Sequence, residues 1–307
     1  MIDTTTIDSR FGVPEHIEHL VTTPDRRTLA VAEWGDPNGR PVITFHGTPG
    51  SRISYWTLEP GIWARLGLRR FSFDRPGYGG STRLPGRSVV DVVPDVVAIA
   101  DAFGLKRFAV YGGSGGGPHV LACAALLPTR VLRCLAVVSA APFDAEGVDF
   151  TAGMNEGNVR EFGAAVEGEA ALRAWVEPER AHMIERLSSG RSDFMGDDYV
   201  MPEADQAEMA KHQRATAAQV LTGIAPGIDG WVDDDMAFVK PWGFDVADCR
   251  VPVVLSYGRL DPLVPAAHGD WLAAHVPNAV AWVDEGPGHM GNEAQVERDL
   301  TWLAGNA

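Results

Sequence analysis

The stretch FAVYGGSGG (residues 108–116) places an apolar strand directly before a glycine-rich turn, and a helical pattern follows it. This strand–turn–helix order is the context in which a G-x-S-x-G turn presents a nucleophile. Gly112 and Gly116 stand two residues before and after Ser114, where a sharp turn leaves no room for side chains. The N-terminus of the helix directs amide N–H groups toward developing negative charge. We therefore predict that Ser114 is a nucleophile.

Phosphate binding is the main alternative for a glycine-rich turn of this kind. The run lacks the Gly-Lys-Ser/Thr ending of a P-loop, and the first strand of the chain carries no dinucleotide fingerprint. The 26 Lys and Arg against 41 Asp and Glu give a net charge of −15, which repels phosphate backbones. We expect no nucleic-acid partner.

Outward from this turn, short apolar runs alternate with helical patterns, which is typical of a largely parallel sheet covered by helices. The predicted strands are His16 to Thr22, Leu29 to Trp34, Pro41 to His46, Arg70 to Asp74, Phe108 to Gly112, Leu132 to Ser139, Val251 to Tyr257 and Ala279 to Val283. The predicted helices are Thr57 to Leu66, Val89 to Phe103, Gly115 to Leu127, Ala266 to His275 and Glu293 to Leu303. The turn-rich residues 23–27 predict an antiparallel hairpin between the first two strands. Together these patterns predict an α/β fold.

Residues 142–245 interrupt the alternation of strands and helices. The helix-period segments found there are Val159 to Val166, Ala170 to Trp175, Ala181 to Leu187 and Glu203 to Leu221. We predict a helical insertion between strands six and seven, with residues 1–141 and 246–307 forming the core. Such an insertion lies beyond the carboxyl ends of the strands, where open α/β sheets bind ligands. The run Asp233-Asp234-Asp235 is predicted to be a solvated loop, because no further ligands complete a metal site.

The insertion is rich in large apolar side chains. They are Met154, Phe162, Trp175, Met183, Phe194, Met195, Met201, Met209, Trp231, Met236, Phe238 and Trp242. We expect more than half of them to form the insertion's own core and the remainder to face the pocket around Ser114.

A serine hydroxyl needs a base, and nine histidines compete for that role. His289 ends the flexible turn 285–289, between the last predicted strand and the last predicted helix, so it can reach the edge of the sheet that carries Ser114. His268 and His275 lie in a helical pattern that favours exposed surface. His119, five residues past the serine, is poorly aimed at it. We predict His289 as the base.

An acid must orient this histidine. Asp261 lies in the loop 258–265, just beyond the predicted strand that ends at Tyr257, and so emerges at the same sheet edge as Ser114. The chain order Ser, Asp, His also fits Asp261 best. The rival is Asp144, which follows the sixth strand and opens the insertion.

Two backbone N–H groups are needed to stabilise an oxyanion. Gly115, directly after the nucleophile, supplies one. The loop 45–50 follows the third strand, and Thr48 is the candidate for the other because Pro49 has no N–H. His46 is predicted to orient this loop rather than to act as a base.

At these residues the chain resembles the α/β-hydrolase superfamily, specifically its capped serine hydrolases. The matching elements are His46-Gly47-Thr48-Pro49-Gly50, Asp74-Arg75-Pro76-Gly77-Tyr78-Gly79-Gly80-Ser81, the turn around Ser114, and the residues 258–265 and 286–289. They stand in the family's order over residues 40–290. The resemblance implies a mostly parallel sheet of eight strands, a cap formed by the insertion, and a structural role for residues 74–81.

The resemblance also bears on the reaction. Members that open epoxides or remove halide carry aspartate where this chain has Ser114, which argues against both reactions. Proline iminopeptidases carry glycine and tryptophan where this chain has Thr48 and Gly115, which argues against that activity. We expect a hydrolase of a small, mostly apolar carboxylic ester. The alternatives are an amide, peptide, lactone or carbon–carbon bond hydrolase and, from another class, a ligand-binding homologue with little turnover.

No cofactor, metal or membrane partner is expected. Cys123, Cys134 and Cys249 are too scattered for a disulfide framework or a CxxC site, and the first two stand in apolar runs. Residues 1–10 are polar and acidic, unlike a secretory signal, and apolar stretches such as 131–141 fall short of the ~20 residues that span a bilayer. These features favour a cytoplasmic protein, either a monomer or a homodimer, that acts on a small molecule.

Overall fold

Eight strands form the centre of the molecule. The computed structural model describes residues 10–54 and 60–305. Its strands are β1 (Ile17–Thr22), β2 (Thr28–Gly35), β3 (Arg40–Phe45), β4 (Leu68–Phe73), β5 (Phe108–Gly113), β6 (Val131–Val137), β7 (Val253–Gly258) and β8 (Ala279–Asp284). The central strands β3, β5 and β7 are short apolar runs buried on both faces, as parallel strands between two layers of helices are.

The strands form a single sheet in the order β1-β2-β4-β3-β5-β6-β7-β8. The pair β1–β2 is an antiparallel hairpin, and β2 also runs antiparallel to β4. The other neighbours are parallel, from β4 to β8. The predicted α/β class, the hairpin and the mostly parallel eight-stranded sheet are thus confirmed.

Helices cover both faces of the sheet. They are α1 (Pro60–Arg65), α2 (Val92–Ala102), α3 (Gly117–Leu126), α9 (Ala266–His275) and α10 (Glu293–Leu303). Apolar side chains of α2, α3 and α9 pack on one face, and those of α1 and α10 pack on the other. The predicted first helix began at Thr57, but residues 57–59 lie outside the described part of the chain. Within the described residues, no helix combines the length and apolarity needed to cross a membrane.

Five further helices lie between β6 and β7. They are α4 (Glu156–Glu167), α5 (Glu169–Ser188), α6 (Glu203–Lys211), α7 (Gln213–Ile224) and α8 (Asp229–Phe238), which we call the inserted helices. The prediction of a single helix over Glu203 to Leu221 is wrong. The backbone leaves helical geometry at His212 (φ −103°, ψ 13°), and a new helix starts after it. The two segments expected between Ala170 and Leu187 are instead one helix, which continues through Pro178.

The aspartate run 233–235 does not form a solvated loop, so that prediction is wrong. All three residues lie in α8 and are buried, with exposed fractions of 4% or less. Asp233 accepts from Arg83 at 2.8 Å, Asp234 from Arg75 at 2.6 Å, and Asp235 contacts Glu161. These partners replace the water that the prediction assumed.

Candidate active site

Ser114 stands at the sharp turn between β5 and α3. Its backbone has φ 52°, a left-handed conformation that residues other than glycine rarely adopt. A methyl group on Gly112 would lie 2.5 Å from the carbonyl oxygen of Gly116, and one on Gly116 would lie 2.6 Å from that of Phe45. Both glycines are therefore required by close backbone contact. The turn holds the serine side chain out from the edge of the sheet.

His289 and Asp261 are brought together by the loops after β7 and β8. The Nδ1 atom of His289 lies 2.8 Å from Oδ2 of Asp261. The other carboxylate oxygen of Asp261 accepts the backbone N–H groups of Leu263 and Val264, both at 2.8 Å. Because the carboxylate only accepts, Nδ1 carries the proton and Nε2 remains free to accept one.

The environment of His289 supports a basic imidazole. Burial acts to lower its pKa, but the Asp261 carboxylate outweighs burial, Asp205 adds to its effect, and the pKa is raised above its ordinary value. The rival acid Asp144 is exposed, whereas Asp261 is buried and accepts from His289. The structure therefore pairs His289 with Asp261.

Asp205, a residue of the inserted helix α6, holds the backbone of the histidine loop. Its side chain is fully buried, and its two oxygens accept the N–H of Gly288 at 3.0 Å and that of His289 at 2.7 Å. Sequence reasoning missed this residue, since it lies 84 positions before the histidine in a segment whose pattern indicates only a helix. No motif marks such a contact.

The loop after β3 lies beside the nucleophile. A methyl group on Gly47 would lie 3.5 Å from Cβ of Ser114. A methyl group on Gly115 would lie 2.2 Å from Oγ1 and 3.1 Å from the backbone nitrogen of Thr48. The two residues predicted to donate to an oxyanion, Thr48 and Gly115, are thus neighbours at the nucleophile.

Asp234 of α8 holds this loop in place. One of its oxygens accepts from the Thr48 hydroxyl at 2.8 Å, from Arg75 at 2.6 Å and from Tyr78 at 2.8 Å, and the other faces Arg87 at 2.7 Å. Burial opposes ionisation of Asp234, but Arg75 and Arg87 outweigh it and hold its pKa well below the usual range.

The same loop is braced by His46. Its Nδ1 faces the carbonyl oxygen of Gly47 at 2.7 Å, and its Nε2 accepts the backbone N–H of Arg75 at 3.1 Å. Burial and the Arg75 guanidinium hold the pKa of His46 well below its ordinary value, so the ring is neutral. The structure therefore gives His46 the orienting role that the sequence predicts.

Two other histidines, His268 and His119, are buried against partners of their own. The exposed position predicted for His268 is wrong: its ring is buried between the carbonyl oxygen of Phe150 and the N–H of Ala141, since α9 packs it against the chain after β6. His119 is also buried, 3.5 Å from Asp234. Burial lowers its pKa to about 4.

Ser114, Gly115, Thr48 and His289 line one cavity of about 250 Å³ beneath the inserted helices. Seven of the twelve apolar residues singled out in the insertion also line it, more than expected. They are Met154, Phe162, Met183, Phe194, Met195, Trp231 and Phe238. The cavity therefore has a largely apolar wall opposite the serine.

Two buried carboxyl groups interrupt this apolar wall. Glu161 of α4 and Asp235 of α8 line the cavity and hydrogen-bond to each other, and Trp231 donates to Glu161 at 2.5 Å. Burial and the neighbouring carboxyl group raise the pKa of Asp235 well above its ordinary value. Burial therefore opposes ionisation of both carboxyl groups at once.

A family model described as the alpha/beta hydrolase fold matches residues 40–294. The chain belongs to the α/β-hydrolase family. It is 32% identical over 126 residues to a proline iminopeptidase of Xylella fastidiosa, an alignment that spans 37% of each chain. It is 32% identical over 124 residues to a bifunctional esterase/perhydrolase of Acinetobacter calcoaceticus, spanning 40% of this chain and 44% of that protein.

A probable proline iminopeptidase of Leptolyngbya boryana aligns over more of its length. It is 23% identical over 302 residues, which span 88% of this α/β-hydrolase and 87% of the relative. Among solved structures, a hydrolase from Pseudomonas aeruginosa superposes with a TM-score of 0.67 over 94% of this chain and 98% of that one, at 18% identity.

Within the described residues, no group of three or more histidine, cysteine or acidic side chains could hold a metal ion.

Proposed function

We propose that this α/β-hydrolase is a serine hydrolase that cleaves a small, mostly apolar carboxylic ester. The proposal rests chiefly on one observation: His289, which lines the same cavity as Ser114, forms a 2.8 Å hydrogen bond to Asp261. A serine, a histidine with a free Nε2 and a buried carboxylate are the groups that acyl transfer requires.

The reaction follows from these positions. His289 Nε2 takes the proton of Ser114, and the serine oxygen attacks the ester carbonyl. The N–H groups of Thr48 and Gly115 stabilise the oxyanion, and the histidine then gives its proton to the leaving alcohol. Water, activated by the same imidazole, frees the acyl group from Ser114. Asp261 keeps the imidazole in the required tautomer throughout.

The inserted helices act as a cap in this proposal. Residues 142–245 cover the carboxyl edge of the sheet, and their apolar side chains exclude water from the cavity. A dry cavity strengthens the hydrogen bonds to the oxyanion and accommodates an apolar acyl chain. The flexible methionine side chains adapt to acyl chains of different shape.

The carboxyl pair favours a second candidate, cleavage of an amide bond next to a cationic amine. Glu161 and Asp235 place two neighbouring carboxyl groups in an otherwise apolar wall, where a protonated amine would stabilise their ionised form. The iminopeptidase relatives are consistent with this candidate. It predicts that proline p-nitroanilide is a better substrate than p-nitrophenyl butyrate, and that Asp235→Asn removes that preference.

Two measurements test the proposal. A fluorophosphonate should label wild-type protein stoichiometrically at Ser114 and leave Ser114→Ala unlabelled. A panel of p-nitrophenyl esters of increasing acyl length, run beside amino-acid arylamides, should show turnover of the esters. Folded protein that takes up no label and hydrolyses no ester would instead be a binding protein, and the proposal would be wrong.

A further inference from the structure

A charged side chain that the proposed reaction does not use also lines the cavity, at the side formed by the sheet. Arg70 of β4 is only 2% exposed, and its Nε donates to Thr44 at 3.0 Å. Its guanidinium lies over the rings of Trp63 and Trp34, at 5.2 and 5.7 Å. It forms an ion pair with no carboxylate in the part of the chain that the structure describes.

Other buried arginines of the protein are paired. The pairs are Arg27–Asp95, Arg52–Asp74, Arg75–Asp234 and Arg87–Asp234, with nitrogen–oxygen distances of 2.6 to 2.7 Å. A buried charge without a counter-ion is costly, so proteins pair such groups or use them. Burial lowers the pKa of Arg70 to about 10, and the group is still a cation at neutral pH.

Arg70 lines the same cavity as Ser114 and His289. Thr44 lies beside it, and because its oxygen accepts from Arg70, its own hydroxyl hydrogen is available to a ligand. Asp299 also lines the cavity, but its carboxylate faces Arg298 at 2.9 Å. Among the residues that the structure describes, the guanidinium is therefore an unpaired charge at the sheet side of the cavity.

The register of the strands gives the distance between the Arg70 guanidinium and Ser114. Arg70 is level with Val42, and Val42 is level with Ala109, five residues before the serine. The guanidinium reaches Thr44, and Thr44 is level with Tyr111, three residues before the serine. At about 3.3 Å per residue, it lies about 10 Å below the nucleophile along the strands.

We propose that the sheet side of this cavity is an anion subsite, in which Arg70 binds a carboxylate at the far end of the acyl chain. This inference rests on the proposed esterase activity and narrows its substrate to esters of dicarboxylic acids. The apolar side chains of the inserted helices contact the middle of the acyl chain, and Arg70 neutralises the carboxylate at its end. The bound carboxylate supplies the counter-ion that residues 10–54 and 60–305 do not.

The test compares charged and neutral forms of one substrate. Mono-p-nitrophenyl esters of the dicarboxylic acids from adipate to azelate are assayed beside the same esters with the free carboxyl methylated. Wild-type protein should favour the charged form, with an optimum at one chain length. Arg70→Met should lower the charged-to-neutral ratio of kcat/KM by about ten- to a hundredfold, since a hydrogen bond between charged groups is lost.

Arg69→Met is the matched control. Arg69 is the next residue on the same strand, but it is paired with Glu33 at 2.7 Å and lies over Phe71. This variant should keep the wild-type ratio. A wild-type protein that prefers the methylated esters, or a preference for the charged esters that survives in Arg70→Met, would overturn the proposal.

A binding measurement separates this inference from the proposed activity. Hexanoate should raise the melting temperature of the wild-type protein, hexanamide should not, and Arg70→Met should respond to neither. This holds even if no ester is hydrolysed, in which case the esterase proposal alone fails. An equal shift by hexanoate in wild type and Arg70→Met means that the anion binds elsewhere and refutes the subsite. A merely structural arginine would leave both ligands without effect.

Discussion

Asp205 accepts the backbone N–H of His289 at 2.7 Å, although the two residues belong to an inserted helix and to the loop after the last strand. The same carboxylate accepts the N–H of Gly288 at 3.0 Å. A methyl group on Gly288 would lie 2.5 Å from its oxygen, so the contact requires glycine there. The inserted helices therefore position the candidate base as well as covering the cavity.

Asp205→Asn should weaken this positioning and shift the pH dependence. Asparagine has one acceptor oxygen where two N–H groups need one each, so we expect kcat to fall about ten- to a hundredfold. The carboxylates near His289 raise its pKa, so removing one lowers that pKa and keeps the base neutral at lower pH. The acid limb of the kcat/KM profile should therefore move to lower pH.

Glu203→Gln is the control for Asp205→Asn. Glu203 lies on the same helix and is exposed, so its loss should change neither kcat nor the acid limb. If Asp205→Asn left the acid limb at its wild-type position, Asp205 would be a structural residue of the insertion and not a positioning residue for the base.

The Thr48 side chain leaves no room for a side chain at Gly115, so the effects of substitutions at these two positions should be coupled. Because a methyl group on Gly115 would lie 2.2 Å from the Thr48 hydroxyl oxygen, Gly115→Ala should displace the Thr48 loop and lower kcat about a hundredfold. Removing the Thr48 side chain in the double variant Thr48→Gly/Gly115→Ala should recover part of that loss. Ester kinetics of the two single variants and the double variant give the coupling. Strictly additive losses would contradict it.

The parts of the site that sequence could predict are those that follow strand ends. Ser114 and Asp261 come directly after buried apolar strands, and parallel strands place their carboxyl ends at one edge of the sheet. His289 lies in the loop after the edge strand β8, which is parallel to β7 and so ends at the same edge. Local pattern and chain order were therefore enough to select these three residues and the loop that holds Thr48.

The contacts that sequence could not predict join segments far apart in the chain. Asp234 lies 186 residues after Thr48, and α8 buries it because Arg75 and Arg87 replace the water that an aspartate run otherwise needs. Arg70 stands in a run whose pattern indicates only a strand, and nothing local marks it as unpaired. Burial of charge depends on tertiary partners, which periodicity does not record.

Removing the members of the proposed triad should separate chemistry from folding. Ser114→Ala should lower ester hydrolysis at least ~10⁴-fold, and Asp261→Asn should lower kcat by about 10³–10⁴, because the imidazole loses its orienting partner. Asp144→Asn, at an exposed position, should match wild type in the same p-nitrophenyl ester assay. Activity of Ser114→Ala within about tenfold of wild type would remove the serine from the mechanism.

Asp234→Asn should reduce stability, since it leaves two buried arginines without their counter-ion. We expect a loss of about 3–5 kcal/mol in the free energy of unfolding, measured with urea at neutral pH. The folded-state pKa of Asp234 is depressed, so its contribution is present above the unfolded pKa and is lost as pH falls through the folded one. The loss from Asp234→Asn should therefore shrink in acid. Asp197→Asn, whose side chain is 91% exposed, is the control and should change stability little.

The apolar wall of the cavity should set the preference for acyl length. Phe194 and Met195 line the cavity, so Phe194→Ala and Met195→Ala should raise KM for long p-nitrophenyl esters about tenfold and shift the preferred length. Labelling of Ser114 by a small fluorophosphonate should change much less, because that reagent does not reach the wall. Met209→Ala is the matched control: Met209 is buried among the inserted helices away from the cavity lining, so its loss should cost stability, about 2–5 kcal/mol, but keep the length profile. Wild-type length profiles in both folded wall variants would mean that selectivity lies elsewhere in the cavity.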